Sequence, residues 1–187
     1  MASRLMSYLV RSLGLMALLA VGGCAGLGFM PAEAVTTLKN PTHVEAYRTG
    51  KLDDHPGYGG KMDGFAVIRT GEASEDVARD LAEAIQDPTL YRDETRDQDF
   101  VPTVGYRFYR KLSGGRGQMS LDILVGFDCD EILLVAHDNK LRENFRRLLE
   151  VDPGRERLLD LTRQAFPFDE LVQSLSPVRT PATEPDE

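Results

Sequence analysis

From Val104 to Ala136 the chain offers three strand patterns in succession, the first of them alternating with a period of two, and this stretch constrains the fold more than any other. In Val104–Lys111 (VGYRFYRK), Val104, Tyr106 and Phe108 fall on one face, and Arg107 and Tyr109 on the other. Ser113–Gly117 (SGGRG) is a glycine-rich turn, and Met119–Phe127 runs back from it. Leu121, Ile123, Val125, Phe127 and Cys129 share one parity; Asp122, Leu124, Gly126 and Asp128 share the other. Side chains of a strand point alternately to its two faces, so this is the signature of a hairpin. Glu131–Ala136 (EILLVA) adds a third strand, and three consecutive strands imply an antiparallel meander.

Upstream, Val44–Arg48 and Phe65–Arg69 read as two further strands, separated by the turn-rich loop Lys51–Lys61 with its proline and glycines. Ser74 is placed to cap a helix carrying Glu75 and Asp76 in its first turn, where negative charge suits the helix dipole. Val77, Leu81, Ala84 and Ile85 recur at helical spacing and Pro88 ends the run. Downstream, Leu141, Phe145, Leu148 and Leu149 fall on one helical stripe behind Asp138 or Asn139 as cap. Asp152-Pro153 restarts a helix through Leu158, Leu161 and Ala165, and Phe168, Leu171, Val172 and Leu175 form a last short one. The fold expected is therefore α+β: a small antiparallel sheet of about five strands, one helix after the second strand, and two to three C-terminal helices. A single domain is expected over residues 41–175. Residues 24–40, small and without sustained periodicity, read as a tether. Residues 176–187, rich in proline and acids, read as a disordered tail.

The first 23 residues have another character. Arg4 and Arg11 are their only charges, and Leu13–Val21 is an apolar run of nine residues. A bilayer span needs about 20, so this length suits a signal-peptide core instead. Val21-Gly22-Gly23-Cys24 resembles the bacterial lipobox. That resemblance implies cleavage between Gly23 and Cys24, diacylglycerol on Cys24, and attachment of the domain to a membrane. Ala25 after the cysteine implies the periplasmic face of the outer membrane in a Gram-negative cell. Loss of two arginines would take the formal charge from −8 to −10. Such a chain is a poor match for nucleic acid or anionic headgroups, which require clustered Lys and Arg. Attachment would rest on the lipid alone.

Candidate chemistry is sparse. With Cys24 committed, Cys129 stands alone, which leaves neither a disulfide scaffold nor a multi-cysteine zinc site. Cys129 with His137 could form a nucleophile and base, and Asp128 to Glu131 could offer oxygens to a hard cation. Strand parity favours Cys129 as a small core residue in both cases. His55 follows Asp53-Asp54 in a Gly/Pro loop that reads as a solvated turn. The glycine clusters at Gly57–Gly60 and Gly114–Gly117 lack the strand–loop–helix context of a phosphate loop. Arg69, Arg107, Tyr109 and Arg110 could make a basic, aromatic sheet face, or merely pair across strands with Asp122. No cofactor is implied. His55, Cys129 and His137 remain the candidates for chemistry.

Val44-Glu45-Ala46-Tyr47-Arg48, Asp87-Pro88-Thr89-Leu90-Tyr91, Val104-Gly105-Tyr106-Arg107-Phe108 and Leu124-Val125-Gly126-Phe127-Asp128-Cys129-Asp130 follow one another in the chain. Together, over about Val44 to His137, they resemble a group of small bacterial lipoproteins and exported proteins of unassigned function. Relatives in that group carry extra cysteines near the Phe-x-Cys-Asp element; Cys129 has no such neighbour here, so a disulfide there cannot form. The resemblance carries over no catalytic residue. The leading reading of the chain as a whole is a lipid-anchored, non-enzymatic envelope protein that acts through an interaction surface on an envelope partner. An envelope hydrolase or thiol enzyme, or a divalent-cation binder, are the alternatives.

Overall fold

The computed structural model describes residues 30–92, 99–115, 117–138, 140 and 142–177. Gly23, Cys24, the export segment, Asn139, Leu141 and the tail from residue 178 lie outside the described residues. In chain order the elements are α1 (Ala32–Lys39), β1 (His43–Gly50), β2 (Lys61–Met62), β3 (Phe65–Gly71) and α2 (Glu75–Gln86). Then come β4 (Val104–Lys111), β5 (Gln118–Gly126), β6 (Glu131–His137), β7 (Glu143–Glu150), α3 (Arg155–Ala165) and α4 (Glu170–Ser174). Among the described residues the sheet has seven strands in the order β2-β3-β1-β4-β5-β6-β7, every neighbouring pair antiparallel. It curls into a half-barrel. No helix among the described residues is long and apolar enough to cross a membrane.

This corrects the expected five-strand sheet. One extra strand, β2, is only two residues long and too short to leave a periodic signal. The other, β7, occupies the stretch expected as a helix behind Asp138. Its Leu148 and Leu149 pack on opposite faces of the sheet, against two different apolar clusters. Asp138 accepts backbone N–H groups from Lys140 and Arg142, which organises the β6–β7 turn. The acceptor that can cap a helix has closed a hairpin instead.

The stretch expected as a tether also holds structure. Met30, Ala34, Thr37 and Leu38 are buried, so α1 is laid against the sheet along one helical stripe. Two turns with a threonine in the apolar stripe give little periodicity to read. In α4 only Val172 is buried, while Phe168 and Leu171 of the expected stripe are exposed.

The main core lies between the helices and one sheet face. Val104, Tyr106, Phe108, Leu121, Ile123, Val125, Ile132 and Leu134 meet Leu81 and Ile85 of α2 and Leu158 and Leu159 of α3. Ser74 caps α2 through Val77 N as expected. The buried Tyr106 hydroxyl donates to Thr162 Oγ1 at 2.9 Å, tying the sheet to α3. The opposite face of the sheet carries no helix among the described residues, and its chemistry differs.

Candidate functional site on the open sheet face

Strand register arranges the open face in three rows. One runs Glu45, Arg107, Asp122, Val135 and Arg146 across β1, β4, β5, β6 and β7. The next runs His43, Tyr109, Ser120, His137 and Glu143 across the same strands. On the other side of the first row lies an apolar one, Tyr47, Gly105, Leu124, Leu133 and Leu148. Antiparallel pairing sets facing residues about 4.5–5.5 Å apart, so each row is a line of interacting side chains.

The two polar rows are stitched together. Arg107 donates from Nε and Nη2 to the two carboxylate oxygens of Asp122, both at 2.6 Å. This is the cross-strand partnership that alternation suggested, but Asp122 is fully buried, not solvated. His137 Nε2 lies 3.5 Å from Asp122 Oδ2. On β1, Glu45 Oε2 accepts from Tyr47 at 2.5 Å and from Tyr109 at 2.7 Å, and His43 Nε2 is 3.5 Å from its other oxygen. The His43 ring stacks on Tyr109 with centroids 6.0 Å apart. A second interaction between Tyr109 and Arg107 joins the halves. Tyr47, Glu45, Tyr109, Arg107, Asp122 and His137 thus form one connected polar chain.

The charge states follow from these contacts. Burial by itself would raise the Asp122 carboxyl, but the Arg107 and His137 contacts outweigh it and hold it below the usual carboxylate range. His137 is raised above the ordinary 6.5, first by the Asp122 carboxylate 3.5 Å from its Nε2, with burial and the Arg107 charge opposing and the Asp63 charge assisting. Burial would likewise raise Glu45, and the two tyrosine hydroxyls more than compensate. A raised histidine binds its proton more tightly folded than unfolded. Its contribution to stability is complete below pH 6.5 and is lost as pH rises through the folded value. His137→Gln should therefore flatten the decline in unfolding free energy seen by denaturant titration between neutral and mildly alkaline pH. An unchanged slope would place the titrating group elsewhere.

The candidate residues for chemistry are not brought together. Cys129 sits in the turn before β6 and His137 at the far end of that strand, about 20 Å away at the rise of a strand. The thiol is buried, and burial pushes it up to about 11. Its sulfur leans toward Gly126, on the opposite side from the face its parity with Leu121 and Ile123 suggested, because the chain leaves the strand at Phe127. His55 packs edge-on to Tyr58 with centroids 5.6 Å apart and covers Gly50. Of the basic face considered from the sequence, Arg110 reaches Thr37 of α1 and Arg69 reaches Asp169 before α4, both on the helix side. No group of three or more His, Cys, Asp or Glu side chains placed to hold a metal ion occurs among the described residues.

Glu45 and Tyr47 escaped the sequence reading. Their signal was the alternation His-x-Glu-x-Tyr in β1, legible only once β1 is known to pair with β4. A groove of about 490 Å³ lies elsewhere, between α1, α2 and β1, lined by Leu38, Pro41, Val44, Ala78 and Ala82; it meets the polar rows only at His43. No protein-family model, curated protein or solved structure matches the chain.

Proposed function

We propose that this is an exported domain, lipid-anchored at Cys24 to the bacterial envelope, and that it works by binding a protein partner on its open sheet face instead of by turnover. The observation that supports binding is the connected polar chain from Tyr47 to His137. Its donors and acceptors are held in fixed positions by one another on a sheet, which is how a recognition surface is preorganised. Tyr47, Tyr109 and His43 are also partly or wholly exposed, giving aromatic area at the rim. The thiol alternative is disfavoured by the raised, buried Cys129 and its separation from His137. The anchor reading rests on the Val21-Gly22-Gly23-Cys24 motif and its apolar lead.

A photo-crosslinking residue at Tyr109, compared with one at exposed Glu83 on α2, tests the surface in intact cells. An adduct of one defined mass is expected from position 109 and not from 83; the reverse would move the binding surface to the helices. Mass spectrometry of the same purified protein should find an N-terminus at Cys24 carrying acyl chains. An unmodified Cys24 would remove the anchor.

A further inference from the structure

We propose that Met62-Asp63 is a built-in stand-in for a ligand, and that the open face takes an extended peptide segment with an apolar residue followed by an acidic one when this strap swings away. The inference rests on the open face being the binding surface and specifies what that surface binds. Residues 51–60 lead into the strap through turns, and the strap is held to β3 by the pairs Lys61↔Ala66 and Met62↔Phe65 and by the Val67 N–H, which donates to the Gly60 carbonyl at 3.0 Å. Met62 is fully buried on the apolar row, clustered with Leu124, Leu133 and Val135. It fits there because Gly105 has no side chain: a Cβ on Gly105 would lie 2.5 Å from Met62 Sδ. Asp63 then crosses to the opposite edge of the sheet, where Arg146 Nη1 donates to its Oδ2 at 2.6 Å. An apolar residue on the apolar row and a carboxylate on the adjoining row's arginine are the two features a ligand would have to reproduce.

The strap is held in a way that permits release. Asp63 adopts a positive φ of 49° and Gly64 one of 90°. Asp63 faces Arg146 and Glu143 on β7, Asp122 on β5 and His137 on β6. Burial raises its carboxyl, Arg146 offsets this only in part, and Asp122 and Glu143 add to it. The seated carboxylate therefore costs free energy at neutral pH that a released one does not. Once Asp63 leaves, Arg146 retains Glu143 at 3.3 Å on the exposed rim and presents its guanidinium to an incoming carboxylate.

The full chain with Met62→Gly and Asp63→Gly, checked for a cooperative thermal melt, supplies an emptied site. The acetylated, amidated pentapeptide Lys-Met-Asp-Gly-Phe is the probe. It should bind this variant at least about tenfold more tightly than wild type, and the gain should vanish for the peptide with Asn in place of Asp and for Arg146→Ala in the same background. Equal affinity for variant and wild type overturns the proposal. If the double variant does not fold, amide exchange of the otherwise native Arg146→Ala protein decides. Faster exchange by at least about tenfold over Met62–Phe65, with β5 unchanged, supports the clasp, and unchanged exchange overturns it. Peptide binding to the strap variant without any Tyr109 adduct in cells would sink the partner reading and leave the strap standing. Failure of the peptide on a folded variant removes the strap alone.

Discussion

A chain ending at Glu150 is expected to lose its cooperative thermal transition, whereas one ending at Pro177 keeps it. The cut removes the buried side chains of Val151, Leu158, Leu159, Leu161, Ala165, Phe166 and Val172. A fully buried large aliphatic or aromatic side chain contributes about 1.5–3 kcal/mol. A whole domain is stable by only about 5–15 kcal/mol, so the loss exceeds what the remainder can supply. The cut also strips Tyr106 of its buried hydroxyl partner Thr162 and uncovers Gly71, over which the Phe166 ring is seated. Circular-dichroism melts of two proteins that both begin after Cys24 make the comparison. Equal melting temperatures would show α3 and α4 to be an appendage.

The largest single-residue effect is expected at Arg155. This α3 side chain is buried, pairs with the fully buried Asp130 in the β5–β6 turn, and donates to the Phe127 carbonyl. It also donates to the Ser176 carbonyl at 2.9 Å and lies over the Phe127 ring, 5.6 Å from its centroid. The β5–β6 turn and the segment after α4 are thereby both pinned to one guanidinium on α3. Arg155→Ala leaves a buried carboxylate without that charge, a change that costs about 3–5 kcal/mol. At about 2–4 °C per kcal/mol for a domain of this size, the melting temperature should fall by roughly 6–20 °C. Replacing the pair together, Arg155→Met with Asp130→Asn, should cost much less, because Asn tolerates the positive φ of 54° at that position and no buried charge is stranded. A melt of Arg155→Ala within 2 °C of wild type, to an accuracy of about one degree, would show the pin to be idle.

The meander was legible because each of its strands has one face of unbroken apolar residues and a turn with only one reading. Val104, Tyr106 and Phe108 can satisfy their side chains in no other way. The stretch Glu143–Glu150 was not legible, because Phe145, Leu148 and Leu149 satisfy a helical spacing as well as they satisfy a strand buried on both faces. Helix-forming Arg, Leu and Glu reinforced the wrong choice, and pairing with β6 overrode them. The candidate site was half legible. Arg107 and Asp122 are neighbours across a predicted hairpin, so their pairing followed from local pattern. His137 lies one residue past the third predicted strand of the meander, whereas Glu45 joins them only through the pairing of β1 with β4, which no local pattern encodes. The Arg155–Asp130 pair escaped because it depends on how α3 docks against the β5–β6 turn.

Strand order also dictates when the molecule can become whole. The meander β4-β5-β6-β7 is built of consecutive hairpins, each closing a short loop. By contrast, β1 must find β4 across most of the intervening chain: the Thr42 hydroxyl donates to the Tyr109 carbonyl, 67 residues away. Closing a long loop is paid in chain entropy before any contact rewards it, so local pairings form ahead of distant ones. A ribosome delivers β1, β3 and α2 first, yet their docking surface does not exist until Val104–Lys111 has emerged and hairpinned with β5. The early half of the chain must therefore wait with its apolar side chains uncovered, in the interval when a nascent protein is most exposed to aggregation and to chaperones.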